Sequence, residues 1–296
     1  RSFRMTNHGK KSVKIEKAMS LALDLPDWDY DMITLSGGYN HERHFRRTPV
    51  FYGSQSIGSR RGASSHHFNP FIALAAKHAN EECGDVYGFN FVYSGCFLDE
   101  IEVDCNGTTR VQIGLGNENF GWLLEPGESF ESPEAIMTYT HCGIGQMSRN
   151  MHAFAKRHIV PKEKSAHRPT VLNTWGASGF DIDENKLLEF ARLAPKSGIG
   201  MLVMDDGWFS TRDNDDSGLG DWWESRKKFP DGLGSFVRRV KANGIGFGIW
   251  IEPEMVNPDS ELYRNHPDWI MNVSGREPLV SRNQYVLDMV NPNVVQ

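Results

Sequence analysis

The chain has 296 residues, which is enough for about two domains of roughly 150 residues each. Its 39% hydrophobic and 24% charged residues are typical of a globular protein, and no apolar run reaches the length of about 18 residues that a membrane-spanning helix needs. A net charge of -6 gives no reason to expect a polyanionic partner, so we predict that the chain binds neither nucleic acid nor a membrane.

The first 142 residues show the period of two that is typical of half-buried β-strands. The segment VYGFNFVYSG places an aromatic residue at every second position from Tyr87 to Tyr93. Two more alternating segments flank Asn106 and Gly107, a pair common in hairpin turns. Many short strands separated by turns predict an antiparallel β-sandwich. We assign it to residues 1–142 and expect it to be incomplete at its N-terminus.

The pattern changes near Gly143. Apolar residues from Ile144 to Phe154 follow helical spacing, and the stretch VPKEKSAHRP after them is polar and bounded by prolines. Residues 143–169 are therefore predicted to be a helix followed by an interdomain linker.

From residue 170 the chain reads as strand, helix, strand, with a short internal repeat. The segments SGIGMLVMDD (197–206) and NGIGFGIWIE (243–252) align without gaps, and each puts acidic residues at the end of an apolar strand. Strands without polar alternation that are joined by helices predict a parallel sheet covered on both faces. An open α/β sheet and a βα barrel both fit, and both carry their sites at the C-terminal ends of strands.

The adjacent acids Asp205 and Asp206 allow three interpretations. They could anchor the polar loop that follows, or bind a metal together with Glu252 and Glu254, although no histidine joins those strand ends. They could also bind a sugar between aromatic walls, because this half of the chain is rich in tryptophan. The six tryptophans are Trp175, Trp208, Trp222, Trp223, Trp250 and Trp269, of which we expect Trp223 and Trp269 to pack in the core.

The two acids do not suit bond cleavage. The carboxyl groups of a retaining glycosidase flank the scissile bond at about 5–5.5 Å. Neighbours with Cα atoms about 3.8 Å apart approach a sugar from one side, so binding a pair of hydroxyls fits them better.

The cysteines show neither CxxC spacing nor a nearby histidine at zinc-ligand intervals. They are Cys83, Cys96, Cys105 and Cys142. We expect them to be free thiols, buried as small apolar side chains in a reducing compartment.

Several long motifs together resemble, in order, the bacterial α-galactosidases of glycoside hydrolase family 36. They are RGASSHHFNPF (61–71), VYGFNFVYSG, MDDGWF, LGDW, KFPDGL, GFGIWIEPEMVNPDSELYRNHPDW (246–269) and RNQYVLDM. The resemblance runs from about residue 40 to the end of the chain.

The resemblance implies an antiparallel β-supersandwich followed by a (β/α)8 TIM barrel. A complete barrel takes about 250 residues, so only about the first three βα units are expected in residues 170–296. It also implies a retaining double displacement that releases terminal α-D-galactose from oligosaccharides of the melibiose and raffinose type. Neither a metal nor an organic cofactor is implied, and the full-length enzyme is expected to be cytoplasmic and homo-oligomeric.

Site residues carried over position by position are all substrate-binding. Asp205 and Asp206 would accept hydrogen bonds from galactose hydroxyls, O4 and O6. Trp250 would form a pocket wall, Arg282 would donate to a hydroxyl, and Trp175 would shape the entrance. Gly176 departs from the family, which usually has a glutamate there, and this puts the aglycone side in doubt.

No catalytic residue is assigned within the chain. The family's nucleophilic aspartate lies in a Lys-Trp-Asp motif after the fourth barrel strand and its acid/base aspartate after the sixth, so both are expected beyond Gln296. Asn291 and Pro292 announce a helix with no residues left to form it, which predicts that the chain is a fragment. We expect the isolated fragment to be inactive.

Three other functions remain open. They are a non-catalytic carbohydrate-binding remnant, a magnesium-dependent barrel enzyme, and a galactosyl transferase of the same family that acts on raffinose-type sugars.

Overall fold

The alternating segments of the first half form β-strands in the computed structural model, which describes residues 1–116, 118, 120–162 and 168–296. The first of two structural units spans Arg1–Ser165. Its strands are β1 (Arg4–Thr6), β2 (Val13–Ile15), β3 (Ala18–Leu25), β4 (Tyr30–Gly38), β5 (His41–Pro49), β6 (Gly53–Ser59), β7 (Phe68–Ala76), β8 (Val86–Val92), β9 (Phe97–Val103), β10 (Thr109–Leu115), β11 (Trp122–Leu124), β12 (Ser129–Glu131) and β13 (Glu134–Thr140).

Two larger antiparallel sheets make a sandwich. One has the strand order β3-β10-β9-β6 and the other β13-β8-β7-β4-β5, while β1-β12 and β2-β11 form two-stranded ribbons. The predicted hairpin joins β9 to β10, with Val103 opposite Thr109 across the turn. Gly107 has a φ of 82° in that turn, a conformation that glycine adopts without steric cost. The predicted sandwich is therefore confirmed.

Strand β7 of the five-stranded sheet is buried on both faces. Ile72 and Leu74 of β7 belong to the apolar core between the sheets, which also contains residues of the four-stranded sheet such as Ile101 and Ile113. The alternate residues of β7, Ala73 and Ala75, belong to a second cluster with Met147. Small residues on this second face leave room for a helix.

That helix is α1 (Gly143–Phe154), which confirms the predicted change of period. A Cβ added to Gly88 would lie 2.7 Å from Cγ of Met147, so only glycine permits this approach of helix to sheet. A π-helical turn, Ala155–Ile159, follows. The predicted linker lies partly outside the described residues, at positions 163–167.

The second unit, Ala166–Gln296, begins as a βαβαβ arrangement. Strands β14 (Val171–Asn173), β15 (Met201–Met204) and β16 (Gly246–Ile249) are parallel and adjacent in that order. Helix α2 (Trp175–Ser178), helix α3 (Glu184–Leu193), a 3-10 turn (Ala194–Ser197) and helix α4 (Leu233–Lys241) connect them. This is the start of the predicted (β/α)8 barrel.

Local signals account for the barrel helices. Asp183 caps α3 by accepting a hydrogen bond from the Lys186 amide at 2.9 Å. Leu187 and Ala191 on α3 and Phe236 and Val240 on α4 are fully buried. They pack in one cluster with residues of β15 such as Leu202. The apolar stripe that predicts each helix is thus the face that covers the sheet.

Short elements complete the second unit. They are β17 (Met255–Val256), α5 (Glu261–Asn265), a 3-10 turn (Pro267–Trp269), β18 (Tyr285–Val286) and α6 (Pro292–Val295). Asn291 accepts a hydrogen bond from the Asn293 amide at 3.0 Å. The helix predicted from Asn291 and Pro292 thus forms one turn, Pro292–Val295, within the chain. None of the described helices is long and apolar enough to cross a membrane.

All four cysteines are free, as expected, but the expected burial is wrong. Cys83, Cys105 and Cys142 are exposed and Cys96 is half-buried. Cys105 lies in the β9–β10 turn and Cys142 precedes α1, so these side chains sit at element ends rather than on the inward faces of strands.

Asp99 is a carboxyl group inside the sandwich. It lies on β9 between the buried residues Phe97 and Ile101 and is itself fully buried. Neither carboxyl oxygen has a hydrogen-bond partner among the described residues. Burial raises the pKa of Asp99 well above its ordinary value, because an apolar interior disfavours the charged form.

We expect Asp99→Asn to stabilise the chain at neutral pH. The unfolded chain releases the Asp99 proton near pH 4, whereas the folded chain retains it to higher pH. The free energy of unfolding therefore falls as pH rises from about 4 to the folded pKa, by about 1.4 kcal/mol per pH unit for this group. Asparagine stays neutral and avoids that fall. Urea unfolding should give similar stabilities near pH 4 and a more stable variant near pH 7.

Asp24→Asn is the matched control of opposite sign. Asp24 is exposed, and the hydrogen bond that it accepts from Arg110 lowers its pKa. Folding therefore favours the charged form of Asp24. Loss of this carboxylate in Asp24→Asn should not stabilise the chain at pH 7. A stability gain for Asp99→Asn that did not change with pH would contradict the account of Asp99.

Candidate functional site

The three parallel strands of the second unit end at one edge of the sheet. Asn173 closes β14, Asp205 and Asp206 follow β15, and Trp250 follows β16. In-register parallel pairing aligns these ends, since Asn173 pairs with Val203 and Met204 with Ile249. The sequence-predicted Asp205, Asp206 and Trp250 therefore meet at the C-terminal edge, where barrel enzymes carry their sites.

Asp205 is held in place by its neighbours. Its Oδ2 accepts a hydrogen bond from Nδ2 of Asn173 at 2.5 Å, and its Oδ1 accepts one from the Asp206 amide at 2.8 Å. Asn173 also accepts a hydrogen bond from the Trp175 amide at 2.8 Å. Asn173 thus fixes the half-buried carboxylate of Asp205 and the start of the Trp175 helix relative to each other.

Asp206 is in a buried ion pair with Arg212. The guanidinium donates from Nε to Oδ1 at 3.0 Å and from Nη2 to Oδ2 at 2.9 Å. Arg212 is fully buried and Asp206 is 5% exposed. Asp206 therefore anchors the loop after β15, as the structural interpretation of this pair predicts. The two oxygens of a carboxylate have about four acceptor positions, so this does not use up the group.

Asn257 connects Arg212 to the rest of the loop. Its Oδ1 accepts from Nη1 of Arg212 and from the Leu219 amide, both at 2.9 Å. Its Nδ2 donates to the carbonyl oxygens of Asp215 at 3.0 Å and Asn283 at 2.7 Å. Asn257 is fully buried, and its carboxamide is fully engaged.

Lys228 is a second buried cation under the same loop. Its Nζ donates to the Gly207 carbonyl oxygen at 2.8 Å and lies 2.7 Å from Oδ1 of Asp213. The hydrogen bond from Lys228 lowers the pKa of Asp213. The loop after β15 is therefore fastened by two buried cations, each near a carboxylate of the same segment.

Aromatic side chains surround Trp250. The Trp250 amide donates to the Met204 carbonyl oxygen at 2.8 Å, and its own carbonyl oxygen accepts from Nε1 of Trp208 at 2.9 Å. Its ring centroid lies 6.4 Å from that of Phe209, with an angle of 17° between the two ring planes, and 6.1 Å from that of Trp222. Trp250 packs against this cluster and is half-buried.

The other tryptophans differ in exposure. Trp175 is 42% exposed, with its ring edge-on to Phe180 at 5.0 Å. Trp223 is 47% exposed, so the prediction that it packs in the core is wrong. Trp269 is half-buried and stacks on His266 at 3.9 Å.

Arg282 lies in a tight turn with an uncommon backbone. Arg282 and Asn283 have φ values of 52° and 55°, and Ser281 and Gln284 exchange backbone hydrogen bonds of 3.1 and 2.9 Å. This matches a type I′ hairpin turn, which non-glycine residues rarely form. Nη2 of Arg282 donates to Oδ1 of Asp215 at 3.1 Å. Asp206 binds Arg212, Arg212 binds Asn257, and Asn257 binds the carbonyl group of Asn283. These hydrogen bonds therefore connect Asp206 to the turn that carries Arg282.

The pKa of Glu252 is raised. Burial is the largest cause, and the negative charges of Glu254 and Asp206 add to it. The positive charges of Arg282 and Arg212 act in the opposite direction. Burial and the neighbouring carboxylates therefore outweigh the two arginines, and the pKa of Glu252 lies above its ordinary value.

Two family models match the chain, the glycosyl hydrolase family 36 N-terminal domain over residues 1–125 and melibiase over residues 129–296. The chain belongs to glycoside hydrolase family 36. Family members similar to it include alpha-galactosidase AgaA of Geobacillus stearothermophilus, 47% identical over 99% of this chain, and alpha-galactosidase Mel36A of Lactobacillus acidophilus, 44% identical over 98%. The chain spans about 40% of the length of each.

Solved structures of the family share its fold. The crystal structure of the Geobacillus AgaA enzyme aligns with 98% of this chain and 41% of its own at a TM-score of 0.95 and 47% identity. Variants of that family 36 enzyme have been solved in complex with raffinose and with stachyose, each at a TM-score of 0.94 to this chain.

Sequence reasoning missed the residues that support the site. Asn173 lies within the apolar segment PTVLNTW (169–175), but one sequence does not show that its side chain bridges two strand ends. Arg212 had a usable signal, because it is a single arginine in an acidic loop directly after the two aspartates. Asn257 and Lys228 carry none, since the partners of their side chains are mostly backbone groups.

We expect Asn257→Ala to destabilise the second unit by about 2–4 kcal/mol. The change leaves buried donors and acceptors unpaired, including one N–H of the buried Arg212 guanidinium. Urea unfolding followed by tryptophan fluorescence measures this. The exposed Asn272→Ala in the same unit is the control and should change stability by less than about 0.5 kcal/mol. Equal effects of the two changes would show that the network has no special role.

Proposed function

We propose that this chain supplies the galactose-binding part of the active site of a family 36 α-galactosidase. In the full-length protein the reaction is hydrolysis of terminal non-reducing α-D-galactose, from oligosaccharides of the melibiose and raffinose type, by a retaining double displacement. The Geobacillus relative bound to raffinose and stachyose supports this substrate class.

The observation that carries the proposal is the Asp205–Asp206 edge itself. Two carboxylates whose orientations are fixed by Asn173 and Arg212 follow one strand, and the half-buried Trp250 follows the next strand of the sheet. Fixed acceptors beside an aromatic wall suit a polar ring with hydroxyls on one edge and C–H groups on its face. Asp205 and Asp206 accept from the O4 and O6 hydroxyls, and Trp250 forms the wall.

Arg282 and Trp175 complete the binding role. Arg282 donates to a sugar hydroxyl from a turn whose backbone is set by Asn257. A guanidinium has five N–H donors, so its bond to Asp215 leaves others for a ligand. The exposed ring of Trp175 shapes the entrance. Gly176 beside it has open space at its Cβ position, so this side of the site is wider than it would be with a larger residue.

The chemical step belongs to carboxylates that we place beyond Gln296, in the part of the relatives that this chain does not span. A retaining glycosidase needs one nucleophilic carboxylate and one acid/base, and no metal or cofactor. The side-by-side geometry of Asp205 and Asp206 suits neither role.

The full-length enzyme is proposed to be a cytoplasmic homo-oligomer. The four free cysteines, three of them exposed, support a reducing compartment. Exposed aromatic side chains on the first unit support association with further copies, and they are Tyr39, Phe45, Phe51 and Tyr52.

We expect the purified 296-residue chain to release no p-nitrophenol from p-nitrophenyl α-D-galactopyranoside. The reason is that we place both reacting carboxylates beyond Gln296. The matched control is the same chain with Asp205→Asn, prepared in parallel, because a contaminating enzyme would give equal rates in both. Release that is lost with Asp205→Asn would show that the chain itself is catalytic and would overturn the placement of the chemistry.

In the full-length protein we expect Asp205→Asn to lower kcat/KM about 10- to 150-fold, as for the loss of a hydrogen bond to a charged acceptor. Covalent trapping by a slow galactosyl substrate should persist, because the nucleophile is intact. The exposed Asp231→Asn should leave both unchanged. Asp206→Asn should also lower the thermal midpoint, since it breaks the pair with Arg212.

Loss of trapping by Asp205→Asn while the sugar still binds would move Asp205 into the chemical step. If the full-length protein bound raffinose but neither hydrolysed it nor transferred galactose, the carbohydrate-binding alternative would stand. Transfer to a sugar in preference to water would identify the transferase.

A further inference from the structure

Glu42, His66 and His67 come together in the first unit. Glu42 lies near the start of β5, and the two histidines directly precede β7. Strand β4 pairs with both, since Ser36 is opposite His44 on one side and Phe68 on the other. The sheet topology thus joins residues that are 24 positions apart in the chain.

The backbone at this place is fixed. The Arg43 amide donates to the His66 carbonyl oxygen at 3.0 Å, and the Gly37 amide donates to that of His67 at 2.9 Å. The His67 amide donates to Oγ of Ser65 at 3.1 Å. Consecutive residues of a regular strand point to opposite faces, but in this bend the two imidazole centroids are only 4.3 Å apart.

The three side chains present one ligand atom each within 4.8 Å of one another. Nε2 of His66 lies 4.0 Å from Oε1 of Glu42. Zinc binds imidazole nitrogen and carboxylate oxygen at about 2.0–2.2 Å, which sets tetrahedral ligand atoms about 3.4 Å apart. Small side-chain rotations around a cation therefore suffice to close the site.

A second observation points to a missing partner. Nε2 of His67 is buried and has no hydrogen-bond partner among the described residues. A buried polar atom without a partner is costly, and coordination of a cation would satisfy it. His66 and Glu42 are 54% and 34% exposed at their side chains, so an ion can enter from solvent and keep water in its remaining positions.

We propose that Glu42, His66 and His67 bind one divalent transition-metal cation, with zinc as the reference ion. Two neutral imidazoles and one carboxylate suit zinc, nickel, cobalt or copper, whereas calcium and magnesium prefer sites made only of oxygen. The bound ion would tie the β4–β5 hairpin to the segment before β7. Its role is to stabilise the first unit, because the reaction proposed for the second unit needs no metal.

The test uses the tag-free 296-residue chain, dialysed against EDTA and then titrated with zinc chloride. We expect one zinc per chain by calorimetry and elemental analysis, and a higher thermal midpoint with zinc than without it. His66→Ala and Glu42→Gln should each weaken binding by about 10-fold or more, since loss of even an indirect partner of a ligand costs that much. Both residues are exposed enough for the fold to tolerate the changes, which circular dichroism checks.

His78→Ala is the matched control, because it removes an exposed histidine of the same unit outside the cluster. X-ray absorption of the zinc-loaded chain should show two imidazoles and one carboxylate in the first shell. No stoichiometric zinc, or zinc binding that His66→Ala and Glu42→Gln leave unchanged, would overturn the proposal. Equal losses with His78→Ala would also overturn it.

Discussion

The geometry of the candidate site depends on the buried pair of Asp206 and Arg212. A buried ion pair is weak evidence for stability, because taking both charges out of water costs about as much as their attraction returns. The pair instead fixes the positions of the two side chains relative to each other. With Nε and Nη2 on one carboxylate and Nη1 on Asn257, the guanidinium has one permitted orientation. The loop that carries Arg212 is held to the end of β15 by side-chain chemistry rather than by regular secondary structure.

The same pair shows how a structural ion pair is compatible with the binding role proposed for the neighbouring aspartate. Asp206 is neutralised by Arg212, so Asp205 beside it does not face an uncompensated negative neighbour. Asp205 is instead oriented by Asn173 and by the Asp206 amide. A ligand that approaches this edge therefore meets acceptors whose directions are already set, and less binding energy is lost in ordering them.

The features that were predicted correctly from the sequence are those determined by periodicity and turn chemistry. Strand alternation in β8, the Asn106–Gly107 turn, the Asp183 cap of α3 and the parallel repeat all follow from local rules. The exposure of Trp223 and of three cysteines was predicted wrongly, because an apolar residue in a loop carries no periodic signal for which side it faces. Contacts such as that of Asn257 with Arg212 join residues that are 45 positions apart in the chain. A single sequence does not show which of its distant residues are close in the folded structure.

Buried polar groups differ in how many hydrogen-bond partners surround them. In the second unit Arg212, Asp206 and Asn257 satisfy one another, so removing one of them leaves the others without partners. In the first unit Asp99 and Nε2 of His67 are buried without partners among the described residues. Removing Asp99 takes away a cost rather than a contact, whereas His67 lies beside two further ligand groups that a cation could join. Burial of a polar group thus has three different consequences here, and the groups that lie beside it decide which one applies.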